Sequence, residues 1–401
     1  LKGGSLLPKL LTPLRALLTT QFLSAFVDNM LLFIAQAIIL RDHYPSYYLS
    51  MVQSMYLLSY ILASPWVGLY ADSVPKARAL LTGNLVKLAA PILMLLSVNP
   101  ALSYLCFGLG SVIYSPGKYG ILPCLTSSEK ELMQANGWLE STTIIAVLGG
   151  SVAGGWLSDQ SVEMAALVGV AIYGLSILLN LQIPNNTTTC QVPYAHAGAS
   201  FFGDLRFFFS NQAGRFSVLG SAYFWSVTSI LRLAIFIWAP LALGLTGNTP
   251  VSMLVALIGV GIAIGAFAAP HVVSIKTYRR AIWFGAAIGV MMLIMAVTTS
   301  LPLTLVLMLA SGILSGMYIV PVNTLNESVG ESSIGAGRGI AVQNFAENTC
   351  MLLATGIYTM MTWAAIPITI IIFGAGIVFL ILMFHLWRLT KAPVRQQEPD
   401  R

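Results

Sequence analysis

Twelve stretches of about 20 predominantly apolar residues recur along the chain, and no other feature constrains its fold as strongly. A run of that length matches the hydrocarbon core of a bilayer, where backbone N–H and C=O groups find partners only inside a helix or a closed barrel. The runs cover residues 14–40, 49–71, 79–98, 101–123, 134–157, 163–183, 216–243, 251–271, 280–299, 301–323, 334–363 and 366–387. Charged residues make up 8% of the 401, against about 25% in a soluble domain, and mean hydropathy is +0.82. A soluble globular enzyme is excluded. The expected fold is an all-α integral membrane protein of twelve spans. The first run holds Asp28 and Asn29 at its middle and lacks a small-x-small cleavage site, so it is expected to remain as a helix.

Lys and Arg are retained on the cytoplasmic side of a membrane, so the loops give the orientation. With the N-terminus inside, sixteen basic residues fall on that side and only Arg41 on the other; Lys87, Lys118 and Arg232 lie within runs. Both termini are then cytoplasmic. The net charge of +6 serves orientation and calls for no nucleic-acid partner. The longest loop, 184–215, divides the chain into a bundle of six helices (1–183) and a second of six (216–390), followed by a tail (391–401). Within it, Phe201, Phe202, Leu205, Phe208 and Phe209 alternate with Asp204, Arg206 and Arg215, the pattern of an amphipathic helix on the inner leaflet or of a plain linker helix. The sequons at Asn185 and Asn186 face the cytoplasm and carry no weight. The four cysteines form no C-x-x-C pair, so neither a metal site nor a disulfide framework is expected.

Charged and amide side chains inside a span are costly and mark pathways or pairs. Asp28 follows Ser24 and Gln21 on one face of the first helix, and Arg232 stands at a similar depth in the seventh. The two are expected to face each other across a central cavity. Asn84 and Lys87 share a face of the third helix; the fourth carries Y-S-P-G-K-Y-G, with Pro116 and Gly117 beside Lys118. This is no phosphate loop, because Val112 replaces the first glycine and Tyr119 the Ser or Thr. Asn136 and Glu140 sit at i, i+4 on the fifth helix, and Gln343, Asn344, Glu347 and Asn348 repeat the device on the eleventh, as paired cavity walls. Intraspan glycines such as Gly150, Gly154, Gly261 and Gly265 permit close helix contact.

The loop Gly68-Leu-Tyr-Ala-Asp72-Ser-Val-Pro-Lys76-Ala-Arg78 resembles the major facilitator signature G-x-x-x-D-x-x-x-x-R-x, in which an acid and bases latch the cytoplasmic helix ends. The six-plus-six arrangement agrees with it. The segments QFLSAFVDN (21–29), YSPGKYGIL (114–122), ANGWLES (135–141), GRGIA (337–341) and AVQNFAEN (341–348) resemble the bacterial lysophospholipid transporter family over nearly the whole chain. That resemblance implies a flippase moving lysophosphatidylethanolamine and lysophosphatidylglycerol across the inner membrane, without ATP or any cofactor, by alternating access with sideways entry of the lipid. It also implies a cytoplasmic acyltransferase/acyl-carrier-protein synthetase as functional partner, not expected to be fused here, and a monomer. Asp28, Lys118, Glu140, Arg232, Asn344 and Glu347 match the family's polar cavity positions. Arg232 or Lys118 suits the lipid phosphate, and Asp28 or Glu140 the ethanolamine ammonium. A proton-coupled transporter of a small polar or drug-like solute, using Asp28 and Glu347 as titrating groups, is the rival reading. A membrane-bound acyltransferase is the enzymatic alternative, but none of the four histidines opens its usual H-x-x-x-x-D motif.

Overall fold

A computed structural model describes residues 11–44, 48–184, 197–245 and 248–391. The described chain is helical: α1 (Pro13–Arg41), α2 (Tyr48–Ser73), α3 (Lys76–Leu95), α4 (Pro100–Gly120), a short α5 (Leu122–Leu125), α6 (Glu129–Gln160), α7 (Val162–Asn180), α8 (Ala197–Ser210), α9 (Gln212–Leu243), α10 (Asn248–Val272), α11 (Ala281–Val297), α12 (Leu301–Glu331), α13 (Ala336–Trp363) and α14 (Ile368–Lys391). Local chemistry sets several boundaries. Asn99 accepts the N–H of Ala101, with Pro100 at the first helical position of α4. Ser128 accepts the N–H of Glu131, whose carboxylate reaches back to Ser127, so α6 begins one turn before its apolar run. Asn211 opens α9 by accepting from Ala213 and Gly214, and Gly244, at φ +66°, closes it in the left-handed conformation that glycine adopts without strain.

Each of the twelve apolar runs is matched by one long helix, and among the described residues nine helices are long and apolar enough to cross a membrane. The three that fall short are α2, α4 and α13. They carry Ser, Tyr, amide and charged residues along much of their length, and they pack on one another: α13 lies against both α2 and α4. A helix screened from lipid by protein need not be apolar all round.

α1 packs on α6 and α7, α3 on α4 and α7, and α2 on α4; α10 packs on α12, α11 on α12 and α14, and α9 on α13 and α14. Contacts between these two sets run through α2–α13, α4–α13, α6–α10 and α6–α12. Glycine allows the closest of the approaches: a Cβ on Gly265 would overlap the Ile313 carbonyl, and one on Gly316 the Ile262 carbonyl, so α10 and α12 touch backbone to backbone. Large apolar side chains populate the periphery, with Trp66, Trp156, Trp283 and Trp363 all more than half exposed, as a lipid-facing surface requires.

α8 buries Phe201 and Phe208 against Val218, Ala341 and Val342 while Phe202 and Phe209 stay exposed, so it is an amphipathic helix docked on protein. The polar part of the same loop, with Cys190 and both sequons, lies outside the described residues.

Candidate functional site

Two polar networks occupy the interior, and a third ties the helix ends together. In the first, Asp28 of α1 accepts from Lys87 of α3 at 2.8 Å and from the Tyr173 hydroxyl of α7 at 2.6 Å. Lys87 also donates to Ser24 at 3.1 Å; Ser24 donates to Asn84 at 2.9 Å; Asn84 donates to Ser176 at 3.1 Å, and Ser176 to the Thr20 carbonyl. The Lys87 ammonium lies 4.4 Å from the centre of the Tyr114 ring. The network thus pins α1, α3 and α7 together around one buried base that is fully engaged.

Among the described residues Asp28 and Arg232 make no ion pair; the Asp28 charge is met by Lys87, a helical neighbour the apolar pattern could not place. Arg232 is exposed on α9.

The second network lies where α4, α6, α12 and α13 converge. Glu140 accepts from the Tyr119 hydroxyl at 2.8 Å and from Asn323 at 3.2 Å; Asn136 donates to Glu327 at 2.6 Å. Gln343 donates to Asn323 at 2.8 Å and to Glu347 at 2.7 Å, Asn344 to Ser115 at 2.9 Å, and Asn348 to the Asn344 carbonyl at 2.8 Å. Asn136 and Glu140, expected to wall a cavity, instead sit on the contact between α6 and α12 and join the two sets of helices. Lys118 stands beside them, half-buried, its ammonium 4.2 Å from the centre of the Tyr119 ring, and among the described residues no carboxylate comes within ion-pair distance of it. Gln21, one turn from Ser24, donates to Thr143 of α6 at 2.9 Å.

The third network is the latch. Asp72, 1% exposed at the end of α2, accepts the backbone N–H groups of Gly337 at 2.8 Å and Arg338 at 2.9 Å, and pairs with Lys76. It therefore occupies the N-terminus of α13, where unpaired N–H groups and the helix dipole both favour an anion. Gly68 lets α2 come this close, since a Cβ there would meet Ala341 at 2.8 Å. Arg338 turns away to Asp204 of α8 at 3.3 Å and to Ser200 at 3.2 Å. Burial lifts the Asp204 carboxyl to about 6, Arg338 pulling it back in part. Arg78, expected as a base of this latch, remains exposed; backbone N–H groups and Lys76 do the work assigned to it. At the opposite end Arg41 bridges Asp42 at 2.8 Å and Glu163 at 2.7 Å, and its hydrogen bond holds the Asp42 carboxyl below the usual range.

The principal residue missing from the sequence reading is Glu327. It was out of reach because the tenth run was drawn to Asn323, whereas α12 continues to Glu331. The signal was present: Asn323 and Glu327 repeat, at the same i, i+4 spacing, the Asn136 and Glu140 of α6. Tyr173, Tyr119 and Ser115 were also missed, since a single hydroxyl in an apolar run carries no distinguishing pattern.

The Major Facilitator Superfamily model matches residues 17–355. A Klebsiella pneumoniae protein described as lysophospholipid transporter LplT is 39% identical over 381 residues, covering 93% of this chain and 94% of that protein. One of the same description from Yersinia enterocolitica is 39% identical over 357 residues, covering 88% of each. Among solved structures, the Major Facilitator Superfamily transporter FucP in the outward conformation aligns with a TM-score of 0.74 at 13% identity, over 96% of this chain and all of that one. A bacterial homologue of the iron transporter ferroportin in the outward-facing state gives 0.74 at 16% identity, over 94% and all respectively. At those identities the two structures speak for the fold alone.

Proposed function

The chain belongs to the major facilitator superfamily and, within it, to the family of the bacterial lysophospholipid transporters, and from that premise we propose that it moves lysophospholipids across the inner membrane to the cytoplasmic leaflet. It is a multi-pass membrane protein and not an enzyme. Its twelve long helices are read as twelve spans in two bundles, 1–183 and 216–390, joined by the linker 184–215 and followed by the tail 391–401. The excess of Lys and Arg on one side supports cytoplasmic termini. The latch of Asp72 on α13 then lies at the cytoplasmic end, and the contacts between the bundles close that end. The cargo enters from the other leaflet.

The observation that carries this reading is the division of the intraspan bases. Lys87 is consumed by Asp28, whereas Lys118 and Arg232 have no carboxylate partner among the described residues. Two cations within the apolar runs that lack a carboxylate partner, Lys118 half-buried and Arg232 exposed, fit an anionic cargo, and a lysophospholipid brings a phosphate together with a chain that the apolar helices tolerate. Lys118, beside the inter-bundle network, is the phosphate ligand; Arg232, exposed on α9, receives it earlier. Glu140 and Glu347 stand near Lys118 as acceptors for an ethanolamine ammonium, while Asn344 orients the group through Ser115. Asp28 holds the first bundle together around Lys87. The single acyl chain stays in contact with lipid during entry between the bundles. The lipid delivered is a substrate for reacylation by a cytoplasmic acyltransferase/acyl-carrier-protein synthetase, and the transporter works as a monomer.

The test is transfer of labelled lysophosphatidylethanolamine between leaflets of proteoliposomes. Rapid transfer without a proton gradient, falling at least tenfold in Lys118→Ala and Arg232→Ala and less in Lys118→Arg, is expected. No lipid transfer, with uptake of a polar solute that collapses when the pH gradient is removed, favours the proton-coupled transporter instead.

A further inference from the structure

α6 and α12 carry the same device: Asn136 and Glu140 on one, Asn323 and Glu327 on the other, one helical turn apart in each case. Where the helices meet, each amide donates to the other's carboxylate, Asn136 to Glu327 Oε2 at 2.6 Å and Asn323 to Glu140 Oε1 at 3.2 Å. The two rungs are not equivalent. Glu140 is 8% exposed and gains a second donor, the Tyr119 hydroxyl. Glu327 and Asn136 are both 0% exposed, and among the described residues neither Glu327 Oε1 nor Asn136 Oδ1 has a donor. Two groups already hydrogen-bonded to each other are therefore left with one buried acceptor apiece.

An unsatisfied buried acceptor is costly, and an ionised carboxylate with a single donor is costlier still. Among the described residues no donor reaches either oxygen: the Ser217 hydroxyl of α9 is spent on Gly214 and Asn326, the Gln343 amide of α13 on Asn323 and Glu347, and the Tyr119 hydroxyl of α4 on Glu140. The charged groups facing this region are Glu140 of α6 and Lys118 of α4, with Glu347 of α13 beyond Asn323 and Gln343. One proton resolves the shortage at both oxygens: a Glu327 O–H donates to Asn136 Oδ1 while Asn136 Nδ2 donates to Oε2.

We propose that Glu327 is a proton-binding site at the inner gate, occupied while α6 and α12 are in contact and emptied to cytoplasmic water when they part. A proton suits the site because it supplies the single donor that Glu327 Oε1 and Asn136 Oδ1 lack, while the Asn136 N–H already on Oε2 stays in place. Proton release then accompanies opening, so a higher cytoplasmic pH favours the open gate. For one proton the open-to-closed ratio changes by at most about tenfold per pH unit. The proposal uses the orientation given above for the latch end, and its readout needs no lysolipid, so it stands or falls separately from the cargo.

Spin labels at exposed Lys130 and Ser333, one on each bundle at the latch end, in a background lacking the four native cysteines, report the gate by their distance distribution. The open fraction is expected to rise between pH 5 and pH 9 in the wild type. Glu327→Gln keeps an N–H donor in place of the acid O–H, so it is expected to stay closed with no pH slope; Glu140→Gln is expected to retain the slope. A flat wild-type profile, or a slope that survives in Glu327→Gln, overturns the proposal. So does a shift produced by replacing potassium with sodium at fixed pH in the wild type and absent from Glu327→Gln, which would make the ligand a metal cation. Infrared spectroscopy of the wild type adds a readout that requires no variant to fold: the C=O stretch of a protonated, dehydrated carboxyl is expected at neutral pH, and its absence is equally decisive against the proposal.

Discussion

Replacing Asp72 by Asn tests whether the latch holds the transporter shut. In the closed gate the carboxylate accepts two backbone N–H groups of α13, at 2.8 and 2.9 Å, while 1% exposed. Hydrogen bonds to a charged group contribute about 1.5–3 kcal/mol each, and an anion at a helix N-terminus up to about 2 kcal/mol more in a partly buried setting. When the gate opens, water and Lys76 recover part of this, which leaves about 2–4 kcal/mol favouring the closed state. An Asn keeps one acceptor oxygen and loses the charge, removing about half of that. The open-to-closed ratio is then expected to rise by about 5- to 30-fold. Distance distributions between labels at Lys130 and Ser333 measure it directly. Gly337→Ala serves as an independent arm: its Cβ would lie 2.7 Å from Asp72 Oδ1, so it must push the carboxylate away while leaving every charge in place. Both variants should open the gate. If both remain folded and shift the ratio less than twofold, the closed state is held elsewhere, with the α6–α12 and α6–α10 contacts the remaining candidates.

Asp28→Asn strands a buried Lys87 and is expected to cost about 2–4 kcal/mol of stability; Asp28→Asn with Lys87→Met should recover most of it, and equal melting of single and double variants in detergent would refute a structural role for the pair. Gly265→Ala forces a methyl against the Ile313 carbonyl, and about 1–3 kcal/mol of destabilisation is expected from overpacking, visible as a lower melting temperature; an unchanged one would mean that α10 and α12 slide apart freely. Asp204 is raised from its ordinary value of 3.8 to about 6 by burial, so its folded form binds the proton more tightly than its unfolded form. The docking of α8 is accordingly strongest below about pH 4, weakens as the pH rises to 6, and is level above that. Amide exchange across residues 197–210 should follow this course and become pH-independent in Asp204→Asn once the intrinsic exchange rate is divided out.

The fold was legible because a bilayer imposes one rule on every span, and each of the twelve apolar runs forms one long helix, nine of them apolar enough to cross among the described residues. Hydropathy, however, records which surfaces meet lipid, and it weakens where a helix meets protein. α2, α4 and α13 are the least apolar of the long helices, and they are also the ones packed on each other between the two sets. The same weakness hid Glu327: the run Asn323-Thr-Leu-Asn-Glu327 reads as the polar end of a span, because nothing in it shows that Asn136, nearly two hundred positions away, will be there to receive the carboxylate. Asp28, Lys87, Lys118 and Glu140 stand out in the sequence as charges within apolar runs, whereas their pairing leaves no mark there. Choosing Lys87 over Arg232 as the partner of Asp28 depends on how α3 is rotated against α1, and that rotation is set by Ser24, Asn84 and Ser176, small side chains whose hydrogen bonds leave no periodic trace in the sequence. In a chain of this kind the positions where the apolar pattern degrades are therefore the positions to search for function, and a repeated polar pair at i, i+4, such as Asn136 with Glu140 and Asn323 with Glu327, marks where two such surfaces meet.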